Sequence, residues 1–304
     1  MTAHKSSIFF ISPHLDDVVF SCGGTLGFLA GQGQGPVRVI NIFSNYGKTT
    51  EVRKEEEQQA ARTLGFDYRF LDFPDLFVRE RSGFFFHRMF RPLDPVMDAP
   101  RLDEIFLKLQ ETVSDSPGAK IYFPLGVGGH IDHEMCFQLG RRFARSHEVI
   151  FYEDMPYALI PGMLGQRLSQ LMGAAVAAKE HSEMIDFSSN GVQAARYLLS
   201  RPPCRRFPAR WVRPLLGIYY QSYFKGRKAR MVATQPTVPG LLLAPQYVCI
   251  DGYLETKVEA MWAYRSQIGD FFYSQEEAKG AFSQFCQCAG QNDTKVFERF
   301  WKPV

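Results

Sequence analysis

The stretch Ile8-Phe9-Phe10-Ile11-Ser12-Pro13-His14-Leu15-Asp16-Asp17 decides how this 304-residue chain folds. Four consecutive apolar residues read as a buried strand. The Ser-Pro turn that ends the strand delivers a histidine and two carboxylates within four positions. A helical pattern follows at once over residues 18–30, carrying Gly23-Gly24. Strand, polar turn and helix in this order form the opening unit of an open parallel sheet.

Working outward, the alternation continues. Residues 37–43 form a second strand between Gly35-Pro36 and Ser44-Asn45. Residues 51–64 are rich in helix formers, with Gly65 where a C-terminal cap belongs. Residues 68–71, 120–123 and 149–152 read as strands, and 102–114 and 134–146 as helices. The predicted architecture is α/β, a Rossmann-like, mostly parallel sheet with helices on both faces, in one domain spanning 1–304. An insert at 77–100 interrupts it, and from about residue 182 helices and a small extra sheet elaborate it. The dinucleotide version of the fold is disfavoured, because the acidic cluster stands where a GxGxxG fingerprint would follow the first strand. Gly31-Gln32-Gly33-Gln34-Gly35 comes only after the helix and reads as a turn.

Composition narrows the function classes. At 45% hydrophobic and 22% charged, the chain can bury a full core. A formal net charge of +3 argues against a nucleic-acid partner. The six cysteines (22, 136, 204, 249, 286, 288) lack the paired CxxC spacing of a structural zinc site and read as reduced thiols. No secretory signal precedes the first strand, so the expected location is the cytoplasm. Residues 232–250 are uncharged and nearly long enough to span a bilayer, but Pro236, Pro239, Gly240 and Pro245 would break such a helix. They read instead as a proline-rich loop leading into a buried strand near Tyr247-Val248-Cys249-Ile250, with no membrane span.

Two clusters carry chemistry. His14 and Asp17 are three apart, so a single turn at the strand end can aim both at one point, with Asp16 between them pointing elsewhere. The second cluster, Gly129-His130-Ile131-Asp132-His133, repeats the three-residue spacing after the strand at 120–123. Taken singly, the first is more often a helix cap with a satisfied histidine than a metal site. Both clusters at strand ends of one sheet point to a metal site. In such folds ligands gather beyond the carboxyl ends of the strands. Together the clusters supply three N/O ligands, an unligated carboxylate as base, and a spare histidine, the parts of a metal-dependent amide hydrolase.

These residues resemble a known family. Ser12-Pro13-His14-Leu15-Asp16-Asp17 with Gly23-Gly24-Thr25 is similar to the (A/S)PHxDD opening of the LmbE-like/PIG-L zinc N-deacetylases, and Gly129-His130-Ile131-Asp132-His133 to their GHxDH motif. Arg53, Glu56, Ala60 and Leu64-Gly65 resemble the RxxExxxAxxxLG helix. Lys257, Ala260, Tyr264, Ser266 and Gln267 resemble a KxxAxxxHxSQ segment, with Tyr264 where histidine is usual. Leu15 and the stretch Tyr152-Glu153-Asp154-Met155-Pro156-Tyr157 are similar to a bacterial branch associated with glycan and natural-product pathways.

The resemblance implies that His14, Asp17 and His133 bind Zn²⁺, with another divalent metal as a substitute. Asp16 is then the general base, and a protonated His130, oriented by Asp132, steadies the tetrahedral oxyanion. It implies a basic sugar contact at Arg53 and a hydroxyl contact at Asp75. From the residues alone, Arg53 could pair with Glu56 or Glu57, and Asp75 could cap the Phe73-Pro74 turn. Some family members carry a tyrosine two residues before the first histidine of GHxDH as an added oxyanion donor; this chain has Gly128 there.

The expected activity is removal of an N-acetyl group from a small amino-sugar conjugate, by an enzyme that could be a homo-oligomer. The alternative is a non-catalytic metal- or glycan-binding member of the same fold, which would have no need of Asp16. A sugar-nucleotide transferase lacks its phosphate-cradling glycines. The phenylalanine-rich 77–100 and the arginine-rich 201–213 are expected as walls above the metal, suited to a sugar or apolar aglycone and to an anionic group respectively.

Overall fold

A computed structural model describes residues 7–33, 35–80, 91–116, 118–181, 185, 191–202, 241–289 and 295–304. The fold starts as the apolar runs dictate. Strand β1 (Ile8–Ser12) is followed by helix α1 (Asp17–Gly31), β2 (Val37–Asn41), α2 (Thr50–Leu64) and β3 (Asp67–Phe70). A short α3 (Leu76–Arg79) and α4 (Ala99–Val113) precede β4 (Lys120–Pro124), α5 (Ile131–Phe143) and β5 (Glu148–Tyr152). These five strands pair in parallel in the order β3-β2-β1-β4-β5. Phe9, Phe10, Ile11, Ile121 and Phe123 are fully buried, as strands covered on both faces require. The order reverses direction between β1 and β4. Right-handed crossovers therefore place α1 and α2 on one face and α4 and α5 on the other. That reversal opens the crevice in which α/β sheets bind ligands.

The C-terminal part differs from expectation. Helices α6 (Met163–Met172), α7 (Ala174–His181), α8 (Gly191–Ser200), α9 (Leu254–Met261) and α10 (Gln275–Ala289) follow β5. Among the described residues there is no separate small sheet. β6 (Leu243–Cys249) and β7 (Phe297–Pro303) instead extend the main sheet to seven strands, with β7 antiparallel to both β5 and β6. β6 is the edge strand, which explains how it tolerates Pro245, and it is half-exposed rather than buried. No helix among the described residues is long and apolar enough to cross a membrane.

Three of the four family-like motifs meet in this frame. Helix α1 kinks at Cys22 (φ −138°, ψ 31°). Glu298 from β7 accepts from the freed amides of Gly24 (3.1 Å) and Thr25 (2.7 Å), and Lys257 from α9 pairs with the same carboxylate at 2.7 Å. A Cβ at Gly24 would come within 2.6 Å of Ile250, so only glycine allows this approach. Glu56 on α2 accepts from both Ser266 N–H and Ser266 Oγ at 2.7 Å. Neighbouring Glu57 accepts from Tyr264 at 2.5 Å. Gln267 donates to the Leu15 carbonyl at 3.3 Å. The C-terminal motif thus fastens α2 to the loop that carries His14 and Asp16.

Candidate active site

Ser12 ends β1 and turns the chain: its Oγ donates to the His14 carbonyl (2.5 Å) and accepts from Val18 N–H (3.3 Å). The turn is tied to the segment after β2 through Phe43 N–H on the Pro13 carbonyl, and Leu15 N–H donates to the Tyr46 hydroxyl at 2.8 Å. So held, Asp16 adopts φ 132°, ψ −34°. L-residues rarely adopt this conformation, and surrounding structure must impose it. Among the described residues the Asp16 side chain makes no hydrogen bond or ion pair, and it caps no helix. Asp17 turns the other way. Its Oδ2 accepts from His14 N–H at 2.8 Å, and stands 3.2 Å from His14 Nδ1 and 3.3 Å from His133 Nε2.

The second cluster comes from the start of α5, beyond β4. His130 is the N-cap, and its Nδ1 accepts from Asp132 N–H at 3.2 Å. That contact puts the ring proton of a neutral His130 on Nε2. One nitrogen from each of His14, His130 and His133 lies within 4.8 Å of the others, a grouping able to hold a metal ion. His133 is buried, and its Nδ1 meets Asp154 Oδ1 at 2.7 Å. With the proton directed to Asp154, the lone pair of Nε2 faces inward. Among the described residues this buried nitrogen has no hydrogen-bond partner. A carboxylate fixing the far nitrogen of a ligand histidine is the usual outer support of a metal site.

Sequence reasoning expected Asp132 to orient His130. The structure shows the Asp132 carboxylate meeting His14 Nε2 (3.1 Å), Leu76 N–H (3.2 Å) and Arg79 Nη2 (2.6 Å). It contacts His130 through its backbone amide. Asp132 thus does for His14 what Asp154 does for His133. Asp75 caps α3 by accepting from Val78 N–H at 2.8 Å. Arg53 makes no ion pair among the described residues; its guanidinium lies 4.1 Å over the Tyr46 ring.

Charge follows from this packing. Burial, reinforced by Asp17, pushes the Asp16 carboxyl well up. Burial acts the same way on Asp17, but His133 and His14 overcome it and hold that carboxyl down. Burial would lower His14, yet Asp132 and Asp17 raise it to about 10. These two carboxylates therefore favour a protonated His14. Burial pulls His130 down to about 3, so it is neutral at physiological pH. Burial thus works against the protonated His130 that the resemblance implies and favours a neutral N–H donor.

The sequence assigns no site role to Asp154, Arg79, Tyr46 or Tyr157, although Asp154 and Tyr157 stand in the branch-like stretch 152–157. Asp154 had a usable signal, since it follows β5 at the same carboxyl edge as both clusters. Arg79 had none. The phenylalanine run at 84–90 and most of 201–213 lie outside the described residues.

Residues 9–144 match the family described as PIG-L: GlcNAc-PI de-N-acetylase. The chain is 28% identical over 193 residues to a 2'-N-acetylparomamine deacetylase of Niallia circulans, a match covering 52% of this chain and 70% of that protein. It is 28% identical over 162 residues to the 2'-N-acetylparomamine deacetylase of Streptomyces fradiae, covering 49% and 56%. The chain thus spans little more than half of the second relative. Among solved structures, the A40926 pseudoaglycone deacetylase Dbv21 superposes with a TM-score of 0.61 at 17% identity, covering 99% of this chain and 98% of that one. The zinc inhibited form of teicoplanin deacetylase Orf2 gives 0.63 at 16%, covering 98% of each. These last two likenesses bear on the fold alone. Residues 9–144 are thus similar to the PIG-L family, and the rest of the chain completes the seven-stranded sheet that this segment begins.

Proposed function

We propose that the chain is a zinc-dependent hydrolase that removes an N-acetyl group from an amino-sugar conjugate of the natural-product type. The observation that carries this reading is the convergence of Asp17 Oδ2 on His14 Nδ1 and His133 Nε2, beside an unengaged Asp16. For N/O ligands about 2.0–2.1 Å from a tetrahedral zinc, neighbouring ligand atoms stand roughly 3.3 Å apart. Spacings of 3.2 and 3.3 Å fit that requirement, and so does the orphaned Nε2 of His133. His14, Asp17 and His133 would hold the ion, leaving a position open. There it would supply Lewis acidity, lowering the pKa of water and drawing charge from the acetyl oxygen.

The remaining work falls to the side chains. Asp16 takes the proton of the attacking water and returns it to the departing amine. Its burial beside Asp17 raises its proton affinity, which suits a base that must briefly become an acid. The neutral His130 presents its Nε2–H to the oxygen on which charge develops. Asp132 and Asp154 fix the two ligand imidazoles, and Arg79 fixes Asp132. Arg53, stacked on Tyr46 without a paired carboxylate among the described residues, offers its charge to the sugar or its substituent. Asp75 spends Oδ1 on its helix cap, so Oδ2 would meet a sugar hydroxyl. Cys22 and Cys136 are buried free thiols, in keeping with a cytoplasmic setting.

The relatives named 2'-N-acetylparomamine deacetylases support an N-acetylated amino-sugar substrate. The test is acetate release from a panel containing 2'-N-acetylparomamine, N-acetylglucosaminyl glycopeptides and free N-acetylglucosamine, with and without chelator. Chelation should abolish release. Asp16→Asn should keep the metal and lose most activity; an unchanged rate in that variant overturns the assignment.

A further inference from the structure

Gly128 lies in the turn between β4 and α5, two residues before His130, at φ +89°. A Cβ there would stand 2.7 Å from Cγ, 2.8 Å from Cδ1 and 3.0 Å from Cβ of Tyr157. These are the root of the tyrosine, which cannot swing aside without moving its backbone. Tyr157 follows β5, three residues after Asp154, and its backbone is held close by, since Ala158 N–H donates to the Asp154 carbonyl at 2.9 Å. The absence of a side chain at Gly128 thus lets the Tyr157 ring close down over the turn. The same ring stands perpendicular to His133, with centroids 5.6 Å apart and an interplanar angle of 90°. Burial, reinforced by the charges of Asp17, Asp16, Asp154 and Asp132, pushes the Tyr157 phenol well up, so the hydroxyl keeps its proton. A bulky apolar residue could fill the space over Gly128 equally well. A phenol here adds a neutral donor on the wall next to His133, and that donor is not engaged by any described hydrogen bond.

We propose that Tyr157 is a catalytic residue whose hydroxyl donates a hydrogen bond to the acyl oxygen of the substrate, and that Gly128 exists to admit its ring. This deepens the deacetylase reading and rests on it. The oxygen gains negative charge as water adds to the acetyl carbon. A donor placed there stabilises the transition state more than the bound ground state. With the neutral His130 N–H, Tyr157 would form a two-donor oxyanion site from separate elements, one from the start of α5 and one from beyond β5.

Tyr157→Phe keeps the ring on Gly128 and on His133 and removes only the hydroxyl. On the magnitude typical for one oxyanion donor, kcat should fall about 10²- to 10³-fold with KM changed less than about threefold. Metal content and melting temperature should match the wild type. A second arm needs no turnover: the methylphosphonamide of glucosamine, a tetrahedral anionic mimic, is titrated calorimetrically into zinc-loaded wild type and variant. Binding should weaken by at least tenfold in Tyr157→Phe, while N-acetylglucosamine binding stays unchanged. Wild-type kcat in the variant, or equal phosphonamide affinity, overturns the role of Tyr157. A drop in metal content that accounts for the lost rate also overturns it, and makes the residue a structural support of His133. Should the wild type release no acetate from any substrate, the deacetylase reading fails instead, and the phosphonamide arm still decides whether the hydroxyl meets a tetrahedral oxyanion.

Discussion

Replacing Glu57 with glutamine should abolish a pH-dependent loss of stability that the wild-type protein carries near neutrality. Glu57 is 1% exposed, on the inner face of α2. Its Oε1 accepts from Asn41 Nδ2 at 3.0 Å and its Oε2 from Tyr264 at 2.5 Å. Burial outweighs both bonds and raises the carboxyl from an ordinary 4.5 to about 7. Between those values the folded protein holds a proton that the unfolded chain releases. Stability therefore falls as pH rises through the window, and is flat below about 4.5 and above about 7 as far as this group is concerned. At about 1.4 kcal/mol per pH unit, the full effect is on the order of 3 kcal/mol. Glutamine occupies the same volume without the titration. Asn41 Oδ1 has no hydrogen-bond partner, so a turned Asn41 amide can accept from the new NH₂ group. The assay is urea unfolding of wild type and Glu57→Gln at pH 5 and pH 8, with chelator throughout so that metal binding contributes nothing. The difference between the two proteins should change by about 3 kcal/mol in favour of the variant at pH 8. Parallel losses in both would mean that folded Glu57 ionises normally, and the account of this buried carboxylate would be wrong.

The supports of the site can be tested the same way. Asp16→Gly should release the strain at φ 132°, typically about 1–3 kcal/mol, against roughly 0.5–1 kcal/mol of added chain entropy. Its melting temperature should therefore rise while acetate release is lost, and a lower melting temperature by scanning calorimetry would refute the strain. Asp154→Asn should weaken metal binding about 10- to 100-fold in chelator competition, because His133 loses its orienting carboxylate. Unchanged affinity would show that the imidazole is held by other contacts.

What the sequence discloses depends on how far apart cooperating residues lie. The strands β1, β2, β4 and β5 are legible because burial on both faces writes them as continuous apolar runs. β7 is not. Its Glu298, Arg299 and Lys302 read as surface, yet Glu298 and Arg299 are buried against Lys257 and Glu153, partners 41 and 146 positions away. Only the partner makes such a charge tolerable inside, and no local pattern names it. The site divides the same way. His14 with Asp17, and His130 with His133, are set by one turn of chain each and can be read as spacing. Asp154, Arg79 and Tyr157 reach them across the sheet, and the Tyr157 ring occupies the space that a side chain at Gly128 would take. Both local clusters nevertheless end strands that flank the reversal of strand order between β1 and β4. That is the one crevice where such a sheet lets two strand ends face a common ligand. Placing two polar clusters there uses the topology itself to complete a candidate site that neither stretch of chain could form alone.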